Sequence, residues 1–152
     1  MKKVKSLEKL GSGKNLRILI SFAILLALIV ISLFMPNSVM RFGSKHLKYE
    51  IVDTSAEREK GLSGRTSLGA DQAMLFVFDT ADKYCFWMKD MKFPIDMVWL
   101  DSSKKVVHME QNVDPSTYPH SFCSETPALY VVEVNAGIIQ KTGLKTAAKI
   151  SF

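Results

Sequence analysis

Eighteen consecutive residues, Ile18 to Met35 (ILISFAILLALIVISLFM), carry no charge and only two serines. A helix rises about 1.5 Å per residue, so this run, extended by Leu16, reaches across a hydrocarbon core about 30 Å thick. Buried helices of water-soluble domains seldom run this long without a polar face. The run predicts a membrane span over residues 16–35. A cleavable leader has a shorter apolar stretch and a small-x-small exit, whereas this one ends Leu33-Phe34-Met35-Pro36-Asn37. An uncleaved signal-anchor helix in contact with membrane lipid is therefore expected.

Charge sets the orientation. Lys2, Lys3, Lys5, Lys9, Lys14 and Arg17 precede or open the span against Glu8 alone, and this excess of five equals the net charge of the whole 152-residue chain. The positive-inside rule places the basic tail, residues 1–15, in the cytoplasm and everything after the span outside it. The remaining residues balance to zero, which gives no electrostatic footprint for a phosphate backbone and excludes nucleic acid as an expected partner.

Residues 36–46 (PNSVMRFGSKH) read as a short polar linker. Beyond it, alternation and short apolar runs predict strands at 47–52, 74–78, 84–88, 97–100, 105–110, 130–134 and about 148–152. Thr54 and Glu57 have capping-box spacing at the head of a short helix that Gly61 can end. Asn135 is placed to cap a second helix over 136–142, closed by Gly143. The Pro-rich stretch 113–127 reads as a long ordered loop. The expected fold is mainly β (α+β): a compact sheet or barrel-like domain of about seven short strands with two short helices, over residues 47–152.

Several short pieces carry a resemblance: Gly61-Leu62-x-x-Arg65, Met74-Leu75-Phe76-x-Phe78, Phe86-Trp87-Met88-Lys89, Pro94-Ile95-Asp96 and Tyr130-Val131-x-Glu133-Val134-Asn135-Ala136-Gly137. In this order and near this spacing they resemble domain of unknown function family 192, over about residues 47–152. The resemblance implies a small extracytoplasmic, mainly β domain, often behind a signal or anchor, and no particular activity. The chain departs from the family pattern at Ser63, at Asp90 and at Ala147-Ala148.

No nucleophile elbow, zinc-protease helix, phosphate loop or dinucleotide fingerprint is present. Two groups of residues remain as a candidate site. Arg65 follows two glycines and offers a planar fork suited to carboxylate or phosphate, unless it simply pairs with an internal acid. The second group is Trp87, Lys89, Asp96, Glu133 and Asn135, in which Trp87 and Lys89 share a strand face where the strand continues past Met88. Glu133 stands between valines in a strand that should be core, and a carboxylate there needs a partner or solvent. An aromatic surface with a few polar groups is how small-molecule sites are commonly built.

The leading expectation is thus a membrane-anchored extracytoplasmic binding module without catalysis, holding an anionic or carbohydrate-like envelope ligand through Arg65, Trp87, Lys89, Asp96, Glu133 and Asn135. The alternative is a small envelope hydrolase using Asp96, Glu110 or Glu133 with His108. A third reading makes the 113–127 loop a contact for a protein partner. His108, Glu110, Asp114 and His120 match no metal-site spacing, so neither metal nor cofactor is expected. Cys85 and Cys123 are too far apart in sequence for a redox motif; outside the cytoplasm they are free to bridge, or to remain separate thiols.

Overall fold

The computed structural model describes residues 17–24, 26 and 38–152. Residues 17–24 and 26 are helical and exposed, and the other residues of the expected span lie outside the described residues. Among the described residues no helix is long and apolar enough to cross a membrane.

Residues 38–152 form a mainly β domain of eight strands and two short helices: β1 (Val39–Phe42), β2 (Lys45–Val52), α1 (Ser55–Lys60), β3 (Gln72–Asp82), β4 (Cys85–Trp87), β5 (Ile95–Leu100), β6 (Val106–Val113), β7 (Ser121–Cys123), β8 (Ala128–Asn135) and α2 (Ile138–Thr142). Six strands make one open sheet in the order β1-β2-β3-β8-β5-β6, and β4 pairs with β7 as a separate ribbon. The β2–β3 pair is parallel, the others antiparallel. A parallel neighbour needs a crossover, and α1 with the loop behind it supplies that connection.

Alternation along the central strands gives the sheet two buried faces. Ala73, Leu75, Val98, Leu100, Val132 and Val134 face one cluster, closed by Ile138 and Ile139 of α2 and by Ile150. Met74, Phe76, Met97, Trp99 and Val131 face the other, covered by Leu62, Met88 and Met91 and by the ribbon's Phe86 and Phe122. Fully burying each of these large side chains contributes about 1.5–3 kcal/mol. Trp99 satisfies its polar edge by donating from Nε1 to the Tyr84 carbonyl at 2.9 Å.

The capping box forms as its spacing requires: the Glu57 amide donates to Thr54 Oγ1 at 3.3 Å and the Thr54 amide to Glu57 Oε2 at 3.2 Å. Four expectations need correction. The segment 36–46 is not a linker throughout, because Met40 and Phe42 are fully buried and hold β1 against β2. The loop 113–127 contains β7 and a 3-10 turn at Pro115–Thr117. Asn135 does not cap α2: Gly137, with φ of 81°, occupies that position, and Asn135 Nδ2 donates instead to the carbonyls of Leu68 and Gly69, each at 3.0 Å. The expected last strand is reduced to single bridges, Lys105 with Lys149 and Arg41 with Ser151, by which the C-terminal segment touches both outer strands of the sheet.

Candidate functional site

Glu133 lies on β8 directly between Met74 of β3 and Met97 of β5. The period of two that sends Val132 and Val134 into one core sends Glu133 to the opposite face. It is 5% exposed, and its Oε2 has no hydrogen-bond partner. Burial pushes its carboxyl up to about 8 against the opposing charge of Arg65, so at neutral pH it is mainly protonated.

Above it opens a cavity of about 220 Å³ lined by Glu133, Phe76, Phe78, Tyr84, Phe86, Trp87 and Met91, with Arg58, Lys60 and Ser63 among the polar groups. The aromatic walls brace one another. Phe76 and Phe86 meet edge to face at 4.9 Å between centroids, and Phe78 stacks on Tyr84 at 3.5 Å. Arg58 is already engaged, donating to the Asp53 and Val77 carbonyls and lying 5.2 Å from the Phe78 centroid. Trp87 contrasts with these. It stands at the end of β4 with 51% of its surface exposed, so its indole is free to stack.

The disulfide between Cys85 and Cys123 locks the register of β4 on β7, two residues from Trp87. On the far side of the 61–65 loop, Arg65 forms a two-pronged pair with Glu50, Nη2 donating to Oε2 at 3.0 Å. These bonds raise the guanidinium's hold on its proton further. Arg65 lines a second, neighbouring cavity of about 490 Å³, which shares Lys60, Gly61 and Ser63 with the first.

The structure therefore brings Trp87 and Glu133 together and sets Arg65 beside them. It does not bring in the other three expected residues. The strand ends at Trp87, so Lys89 does not share a strand face with it; Lys89 is exposed and its backbone carbonyl accepts from Ser63 Oγ at 2.8 Å. Asp96 is fully buried and accepts from the amides of Asn112, Gly137 and Ile139 at 2.8, 3.1 and 2.8 Å, fixing the start of α2. Asn135 ties two carbonyls of the 68–69 loop, as above.

The residues of the hydrolase alternative do not converge. Asp96 alternates with Met97 and points to the face away from Glu133. Glu110 lies opposite Met97 on β6, two strand spacings or about 10 Å of backbone from Glu133, and pairs with His108 at 3.0 Å. His120 packs edge-on against Phe122, and Asp114 accepts from the Ser116 amide. Among the described residues no group of three or more His, Cys, Asp or Glu could hold a metal ion.

Sequence reading missed Glu50, which looked like one polar position of an alternating strand, and the wall residues Phe76, Phe78, Tyr84 and Phe86. Their apolar runs announce burial, but nothing in them separates a cavity wall from ordinary core.

Comparison with known proteins agrees on the domain. The family model DUF192, described as an uncharacterized ACR, matches residues 38–152. The fold is similar to the crystal structure of a protein of unknown function from Novosphingobium aromaticivorans DSM 12444, with 28% identity, TM-score 0.69, and coverage of 75% of this chain and 82% of that one. It is also similar to a structure from Sinorhizobium meliloti 1021 described as a candidate transcription regulator, with 27% identity, TM-score 0.69, and coverage of 74% and 89%. No curated protein matches.

Proposed function

The chain belongs to the DUF192 family, and from that premise we propose that it is a membrane-anchored extracytoplasmic module that binds a small carbohydrate-like ligand in the cavity between Glu133 and Trp87. The single observation that carries this reading is the buried, unpartnered Oε2 of Glu133, a residue that lines the same cavity as the exposed indole of Trp87. A buried polar atom without a partner costs about 1–3 kcal/mol, which a bound group returns by hydrogen bonding to it. A protonated carboxyl both donates and accepts, as a sugar hydroxyl does. The apolar face of a sugar ring suits stacking on Trp87. An anion is the weaker fit, since Arg65 is held by Glu50, Arg58 is engaged by two backbone carbonyls and Lys89 does not line the cavity, which leaves Lys60 to meet it.

The anchor reading rests on the apolar run 16–35 and the basic tail before it, both features of the sequence. A disulfide suits an oxidising compartment and is consistent with a domain outside the cytoplasm. Reporter fusions after Met35 and after Phe152 test the topology: activity of an extracytoplasmic reporter is expected at both, and activity of a cytoplasmic one refutes it.

Binding is tested by titrating the full chain in detergent micelles with methyl glycosides while following tryptophan fluorescence. Trp99 is buried, so a ligand-dependent change that vanishes in Trp87→Phe reports the cavity. Saturable change lost in that variant is the expected result; no change with any glycoside overturns the reading.

A further inference from the structure

The Trp87–Glu133 cavity does not stand alone. It shares Lys60, Gly61 and Ser63 with the larger cavity that holds the Arg65–Glu50 pair, so the two adjoin along the 60–63 segment. At about 220 Å³ the first cavity is smaller than the roughly 300 Å³ at which ligand pockets usually begin, whereas the second, at about 490 Å³, lies within the usual range. A ligand confined to the first would be a single ring and would leave the adjoining space unused.

The chemistry of the second cavity also fits a sugar. Arg65 gives Nη1 and Nη2 to Glu50, and a guanidinium carries five N–H donors, so some remain for a ligand. The Glu50 carboxylate keeps acceptor capacity in the same way. Side by side and partly exposed, the pair offers donors and acceptors at one place, matching neighbouring hydroxyls on a ring, while its charges cancel. The surface at Gly64 is open, since a side chain there would meet nothing within 4 Å.

We propose that the ligand is a linear glycan of two or more sugar units, with one ring against Trp87 above Glu133 and the next beside Arg65 and Glu50. This rests on the reading of the Trp87–Glu133 cavity as a sugar site. The two rings occupy subsites of different character. The first is aromatic and water-poor, with one buried hydrogen-bonding group. The second is open and lined by an ion pair.

The test uses the full chain in micelles with two probe series: glucose, cellobiose and cellotriose, and N-acetylglucosamine with its β-1,4-linked dimer and trimer. In at least one series the dimer is expected to bind tenfold or more tightly than the monomer. Arg65→Ala is expected to bring the dimer down to the monomer's affinity and to leave the monomer unchanged; thermal melting of the variant checks that it is folded. Equal affinity for monomer and dimer, with loss of both in Trp87→Phe, overturns the two-ring proposal and leaves the single-ring site standing. Arg65→Ala weakening monomer and dimer alike also overturns it. Absence of binding across both series overturns the sugar site together with this extension.

Discussion

Trp87 and Glu133 line one cavity from two different layers of the fold: Trp87 from the disulfide-bonded ribbon and Glu133 from a central strand of the sheet beneath it. One brings an exposed indole to the cavity, the other a buried carboxyl with an unpartnered oxygen.

Glu133 is expected to make stability fall with rising pH. Its ordinary value is 4.5 and its folded value about 8. Below pH 4.5 both folded and unfolded chains hold the proton; between 4.5 and 8 only the folded chain does, so stability declines across that window and levels off above it. Relative to wild type, Glu133→Gln should gain a few kcal/mol by pH 8 and little at pH 4.5. Urea denaturation of both proteins across that range checks this; parallel curves would show that Glu133 is already ionised in the fold.

Removing the Cys85–Cys123 bridge should cost roughly 4 kcal/mol, the chain-entropy value for a loop closed over 38 residues. The double variant Cys85→Ser, Cys123→Ser should also weaken any ligand that stacks on Trp87, since the bridge holds the register of that short strand. Denaturation midpoints with and without reductant, which should affect only the wild type, measure the first effect.

Asp96→Ala should destabilise by about 3–5 kcal/mol, because it strips a shared acceptor from three backbone amides in a fully buried place. Asp96→Asn, which keeps one carbonyl oxygen, should lose less. If Asp96→Asn instead left stability untouched and abolished ligand binding, Asp96 would belong to the site after all.

Gly61→Ala should cost about 1–3 kcal/mol. Gly61 ends α1 at φ 46° and ψ −130°, a conformation that L side chains rarely adopt. An added Cβ there would also come within 3.2 Å of Phe76 Cζ. Thermal melting against Gly64→Ala makes the comparison: Gly64 also has positive φ but faces open space, so its loss should be smaller.

Much of the domain was legible along the chain because its causes are local. Alternation in Tyr130–Val134, the apolar run Met74–Phe78 and the Thr54–Glu57 capping box depend on side chains within a few residues of one another, and each appears where expected. The strand β1 was missed because Met40 and Phe42 lie in a short segment rich in polar residues. Their burial and the hairpin pairing of Val39–Phe42 with β2 make it a strand, to which the distant Ser151 adds a bridge. Asn135 was misread because its local role, capping the next turn, lost to two carbonyls of a distant loop.

The sequence by itself determined that Glu133 stands in a strand that should be core and needs a partner or solvent, that Trp87 and Arg65 were chemically notable, and that an apolar run precedes a neutral domain. Only the tertiary structure decided which of six candidate residues line one cavity. Asp96 and Glu133 are both acids in buried strands, yet one meets three amides and the other keeps an unpartnered oxygen beside a cavity. The difference lies in what packs above each face of the sheet, α2 on one and the β4–β7 ribbon on the other. Those contacts join residues far apart in the chain, where neither periodicity nor spacing carries information.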